Sequence, residues 1–138
     1  MLFIPNNSKY KKQQKGKSFC RINKNIDFLQ LKYGSVGLKA LNCGHLTSKE
    51  IKTACQVLNK KLKKRGFIKV NIYPQSPVSK KPLEIRMGKG KGNIDHWVFK
   101  VRPGTVLFEV QTEFKSLVVK AFKLVQLRLS VSTKIVFS

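Results

Sequence analysis

Residues 47–66, TSKEIKTACQVLNKKLKKRG, carry their apolar side chains on a single stripe, and no other stretch constrains the fold as much. Ile51, Ala54, Cys55, Leu58 and Leu62 recur at helical spacing, so the segment predicts an amphipathic helix that must lay this stripe on another element. Thr47 and Glu50 stand at capping-box spacing, where each side chain can satisfy the other's free backbone N–H. Gly66 suits the left-handed position past the helix end. The following residues, FIKVNIYP (67–74), alternate Ile68, Val70 and Ile72 with Lys69, Asn71 and Tyr73. That is the period of a half-exposed strand, closed by Pro74. A one-faced helix running into a one-faced strand requires a helix-on-sheet core.

The remaining patterns extend this plan. IDFLQLKYG (26–34) and VGLKALN (36–42) show partial alternation and predict two strands around Gly34 and Ser35. PQSPVSKKP (74–82) reads as a proline-rich connection. LEIRM (83–87) and IDHWVFKV (94–101) predict strands on either side of a glycine-rich loop, and RPG (102–104) a turn into the strand TVLFEVQ (105–111). Residues 113–129 predict a second helix with Leu117, Val118, Ala121, Phe122 and Val125 on one face, and VSTKIVF (131–137) a last strand. The expected class is α+β, with two helices packed on a mainly antiparallel β-sheet as a sandwich. It forms a single domain over 26–138, preceded by a basic irregular arm over 1–25.

Charge restricts what this domain can bind. Its 138 residues hold 29 Lys and Arg against 6 Asp and Glu, a formal +23. A folded chain with so much like charge repels itself and gains stability against a dense polyanion, of which nucleic acid is the commonest. The arm contributes Lys9, Lys11, Lys12, Lys15, Lys17 and Arg21 with no acid between them, and reads as a segment that orders on a partner. A second cluster, Lys60, Lys61, Lys63, Lys64 and Arg65, sits at the negative end of the first helix's dipole and exceeds what capping needs.

The third basic feature is the loop itself, EIRMGKGKGN (84–93). Walker A and the dinucleotide fingerprint both require glycine where Asn93 stands, and a strand pattern follows in place of a helix, so both motifs fail. Gly88, Gly90 and Gly92 can still bring backbone amides close to phosphates, because no Cβ holds the chain away. Lys89 and Lys91 add ammonium groups and Arg86 a planar fork suited to phosphate oxygens or a base edge. With Met87 and Asn93 these residues form a loop suited to tracking a nucleic-acid backbone.

Chemistry beyond binding is poorly supplied. The six acids are scattered, His45 and His96 are far apart in the chain, and no serine lies in a nucleophile motif. Asp95 and His96 are neighbours in a strand pattern, which places them on opposite faces. Cys20, Cys43 and Cys55 are odd in number and lack CxxC spacing, which argues against a disulfide framework or zinc finger and for a reducing compartment. Cys43-Gly44-His45 lacks the second ligand pair of a tetrahedral site. No catalytic residue, cofactor or metal is expected. No apolar run approaches the roughly 20 residues that span a bilayer, and MLFIP is too short for a signal-peptide core.

KRGFIKVNIYP (64–74) and RMGKGKGNIDHW (86–97) resemble the two signature segments of the bacterial-type large-subunit ribosomal protein sixteen family. YGSVGLKAL (33–41), GHLTSKEI (44–51), VRPGTVLFEV (101–110) and KAFKLVQLRL (120–129) are similar to further family segments, and KYKKQQKGK (9–17) to its basic N-terminal arm. The resemblance implies an α+β fold that binds large-subunit rRNA and helps organise the A-site tRNA region near the peptidyl transferase centre, without enzymatic activity. By position, Arg86 to Asn93 would be the loop pointing into the functional core, and residues 9–21 the arm threading rRNA. Implied partners are large-subunit rRNA, nearby A-site tRNA and neighbouring large-subunit proteins, with no membrane and no homo-oligomer. KEIKTACQ, LVQLRL and Ser130 depart from the residues usual in relatives and bear on local rRNA contacts. A composition rich in Lys, Asn, Ile and Phe, with similarity beginning near Lys9 and no room for a cleaved leader, points to a mitochondrion-encoded copy; plastid and bacterial cytoplasm are the alternatives. The competing reading is a general nucleoid-type nucleic-acid-binding protein, which shares the charge but has no use for RMGKGKGN between two strands.

Overall fold

The computed structural model describes residues 5, 10–14, 29–63 and 65–138. Of the expected contact residues, Lys9, Lys15, Lys17, Arg21 and Lys64 lie outside them. The elements run β1 (Val36–Ala40), β2 (Gly44–Thr47), α1 (Ser48–Leu62), β3 (Phe67–Val70), β4 (Ser76–Lys80), β5 (Asn93–Val101), β6 (Val106–Gln111), α2 (Lys115–Gln126) and β7 (Thr133–Phe137). They form an antiparallel four-stranded sheet in the order β3-β6-β1-β7 and an antiparallel three-stranded sheet in the order β2-β5-β4. The two helices pack on each other, and the α+β class expected from the sequence is the observed one.

The first helix forms as its pattern dictates. Thr47 Oγ1 accepts the Glu50 N–H at 3.3 Å and Glu50 Oε2 accepts the Thr47 N–H at 2.7 Å, closing the capping box. Ile51, Ala54, Leu58 and Leu62 are fully or almost fully buried, and Val118, Ala121, Phe122 and Val125 of α2 meet them in one core with Leu38, Phe108 and Val110. At the other end of α1 the left-handed residue is Lys63 (φ 44°) rather than Gly66. Gly66 is required for space: a Cβ there would meet the Gln111 carbonyl oxygen at 2.8 Å.

Three expectations need correction. Residues 29–34 form no strand. The N–H groups of Lys32, Tyr33 and Gly34 turn instead onto one carboxylate oxygen, Glu109 Oε2, at 3.1, 2.8 and 3.0 Å. LEIRM also forms no strand, since Leu83 and Met87 are 98% and 99% exposed and have no sheet to cover them. The strand before the glycine loop is Ser76–Lys80, inside the proline-rich connection. Pro77 is accommodated there because β4 is an edge strand. GHLT (44–47), to which the sequence pattern assigns no element, is β2 and pairs with Val98–Val101.

Candidate nucleic-acid interface

The glycine loop is the connection of the β4–β5 hairpin. Lys80 opposite Asn93 closes the ladder, and residues 81–92 project beyond it. Gly88 (φ 100°) and Gly90 (φ 81°) adopt the left-handed region, with Lys89 (φ 52°) between them in the same region. Nothing lies within 4 Å of where a Cβ would stand on Gly88 or Gly90, so their backbone is open to an approaching ligand. Gly92 has a different job. A Cβ there would stand 2.6 Å from the Lys80 carbonyl oxygen, so glycine is needed to seat the loop on its own hairpin.

Arg86, Met87, Lys89 and Lys91 are exposed, and the Lys81 ammonium donates to the Gly88 carbonyl. Lys81 was not singled out by its sequence, where KKP reads as connection; its contact depends on the turn that the loop makes. The arm joins the loop at Lys91. Lys12 Nζ donates to the Lys91 carbonyl at 2.9 Å, and Lys91 Nζ donates to the carbonyl of Gln13. Exposed Lys11 and Lys12 therefore stand beside Lys89 and Lys91, and two basic features widely separated in sequence become one surface. Gln13 carries no charge signal and could not have been found by counting cations.

The helix-end cluster is elsewhere. Lys60, Lys61, Lys63 and Arg65 are exposed at the C-terminal end of α1, where the Thr112 hydroxyl donates to the Arg65 carbonyl at 2.8 Å. The opposite end of α1, at Lys49, faces Asp95 beside the hairpin. Fifteen helical residues separate the two ends by about 20 Å, so this cluster forms a second basic surface.

Asp95 and His96 depart from strand geometry. Val78 pairs with His96 and Ser79 with Ile94, which leaves Asp95 as the extra residue of a β-bulge. The bulge lets the two neighbours meet, with Asp95 Oδ2 2.8 Å from His96 Nδ1, against the expectation that they point apart. The hydrogen bond from His96 holds the Asp95 carboxyl below its ordinary pKa, aided by the nearby Lys80 and Lys49 charges. At His45, burial first and then the Lys100 ammonium lower the imidazole pKa, so this ring is neutral at pH 7. Cys43 is disulfide-bonded, which the odd count had not suggested, whereas Cys55 is free and burial pushes its thiol pKa up. Among the described residues no group of three His, Cys, Asp or Glu could hold a metal, and no helix is long and apolar enough to cross a membrane.

The sequence that builds the Gly-Lys-Gly-Lys-Gly loop, the arm residues seated on it and the capped helix matches a known family along nearly its whole length. The model of the Ribosomal protein L16p/L10e family matches residues 5–136. The chain belongs to that family. Among its relatives are three proteins named large ribosomal subunit protein uL16. The one from Wigglesworthia glossinidia brevipalpis is 38% identical over 133 residues, covering 96% of this chain and 94% of that protein. The one from Blochmanniella pennsylvanica is 39% identical over 137 residues, covering 99% and 98%. That from Buchnera aphidicola subsp. Baizongia pistaciae is 41% identical over 133 residues, covering 96% and 94%. The match takes in both the loop and the arm of this L16p/L10e chain, as well as the whole of its core. It is a family of structural ribosomal proteins and not of enzymes.

Proposed function

We propose that this chain is a structural component of the large ribosomal subunit that binds large-subunit rRNA through the loop Arg86–Asn93 and the arm residues seated on it, including Lys11 and Lys12. In this reading the exposed backbone of Gly88 and Gly90 approaches phosphates, Lys89, Lys91 and Arg86 neutralise them, and Met87 lies against bases or sugars. The rest of the arm, Lys9, Lys15, Lys17 and Arg21, continues the same track, and Lys60, Lys61, Lys63, Lys64 and Arg65 grip a second RNA segment. The loop shapes the A-site tRNA region near the peptidyl transferase centre, next to neighbouring large-subunit proteins. The ribosome concerned is mitochondrial, on the strength of the Lys-, Asn-, Ile- and Phe-rich composition.

The observation that carries the proposal is the mutual contact of Lys12 and Gln13 with Lys91, which brings two basic segments side by side. Sucrose-gradient sedimentation of organelle and cell lysates tests it. The protein should comigrate with the large subunit of the mitochondrial fraction and remain through a high-salt wash. Recovery only at the top of the gradient or with DNA would overturn the ribosomal role, and recovery with a cytoplasmic or plastid ribosome would overturn the compartment.

A further inference from the structure

Away from the hairpin loop, α1 and the edge strand β3 leave a groove of about 940 Å³ between them. Lys52 and Gln56 of α1 line one side, and Phe67 and Lys69 of β3, with Tyr33, line the other. Phe67 is 66% exposed and offers an uncovered aromatic face at the start of the strand. The Lys69 ammonium lies over the Tyr33 ring, 2.9 Å from its centroid, which fixes a cation in the groove. Among the described residues no carboxylate lines it. The acid opposite Lys69 in the sheet register, Glu109, is buried with both oxygens taken up by hydrogen bonds, so its carboxylate is not exposed to the groove.

The charge complement of such a surface is an anion, and its exposed phenyl ring suits a planar face. Single-stranded RNA combines the two: bases stack on aromatic side chains while ammonium groups follow the phosphates. An added polypeptide strand is the poorer fit, because a lysine in the middle of an edge strand deters strand pairing. We propose that this groove takes an unpaired RNA nucleotide, its base stacked on Phe67 and its phosphates held by Lys52 and Lys69. The proposal draws on the rRNA reading only for the identity of the polyanion; its residues are distinct from the glycine loop and the arm.

The test is fluorescence anisotropy of the full chain with a labelled single-stranded oligoadenylate and with an RNA duplex of the same length, at one fixed ionic strength. Phe67→Ala and Phe67→Leu should each weaken single-strand binding about tenfold and leave duplex binding within about twofold, whereas Phe67→Trp should retain single-strand affinity. Lys52→Ala should weaken single-strand binding as well. Phe67 is largely exposed, so these variants should melt close to the parent, and circular dichroism checks this. Unchanged single-strand affinity in Phe67→Leu would overturn the proposal, and so would an equal loss on both RNAs or failure of Trp to substitute. A Lys89→Ala, Lys91→Ala variant separates the two sites. It should lower total RNA affinity and keep the Phe67 effect, and the Phe67 result stands whether or not the chain sediments with ribosomes.

Discussion

Glu109 Oε2 accepts the backbone N–H of Tyr33 at 2.8 Å, joining the middle of β6 to a segment that precedes β1. The same oxygen takes the N–H groups of Lys32 and Gly34, and Oε1 takes Asn71 Nδ2 at 2.6 Å. Burial alone would raise the carboxyl pKa. The hydrogen bonds from Tyr33, Asn71, Gly34 and Lys32 outweigh it and hold the group below its ordinary value. Glu109→Ala would strand three backbone donors in a buried site, so it should lower unfolding free energy by about 2–4 kcal/mol in urea titrations. Loss of less than about 1 kcal/mol would show that water replaces the carboxylate without penalty.

The lowered Glu109 pKa also sets a pH dependence. Below the unfolded carboxyl pKa, about 4.3, the unfolded chain has bound a proton that the folded chain still refuses. This group's contribution is therefore complete above about pH 5 and is lost as pH falls through the folded-state value. Glu109→Gln should be less stable at pH 7 and should show a shallower decline below pH 5 than the parent. Parallel stability–pH curves for the two proteins would assign the acid sensitivity to other groups.

Much of this was legible in the sequence. The stripe from Ile51 to Leu62 and the Thr47–Glu50 cap are local patterns that the structure reproduces. The strands at 94–101 and 105–111 were readable for the same reason, since periodicity and turns are properties of neighbours in the chain. What escaped depends on distant partners. Residues 29–34 alternate like a strand, yet Glu109 claims their N–H groups. LEIRM alternates too, but no sheet covers Leu83 or Met87, and the pairing edge is taken by Ser76–Lys80 despite Pro77. For the interface, composition identified the loop and arm as basic, whereas their contact through Lys12, Gln13 and Lys91 spans most of the chain and leaves no periodic trace.

Two loop glycines, Gly88 and Gly92, should separate by function when each is replaced with alanine. Gly92→Ala places a Cβ against the Lys80 carbonyl, so the hairpin end must open, at a cost of about 1–3 kcal/mol in thermal or urea unfolding. Gly88→Ala meets open space and bears only the left-handed backbone penalty, about 1 kcal/mol and confined to the loop. Its melting temperature should stay near the parent's while affinity for rRNA fragments falls. Equal destabilisation by both substitutions would contradict the division between a seating glycine and an open one.

Removing residues 1–14 should release Lys91 from the arm. These contacts are exposed, so global stability should change by no more than about 0.5 kcal/mol. Trypsin cleavage after Lys89 and Lys91 should become several-fold faster, read by mass spectrometry at limiting protease. An unchanged cleavage rate would mean that the loop holds its shape through the Lys81–Gly88 contact alone.

If the loop and arm surface binds by neutralising phosphates, its affinity is governed by counterion release. Contacts with about six phosphates predict that affinity for an rRNA fragment falls roughly a thousandfold between 50 and 200 mM salt. Lys89 and Lys91 are both exposed, and each should account for about one unit of the slope of log affinity against log salt. The double alanine variant should therefore flatten that slope by about two units, beyond weakening binding at any single salt concentration. An affinity loss with the slope unchanged would mean that the two lysines shape the loop and do not touch phosphate. A parent slope near zero would remove the electrostatic account of the interface altogether. RNA should also be preferred over DNA of equal length where 2′-hydroxyls and tertiary shape are read, and equal affinity would favour a general nucleic-acid-binding role.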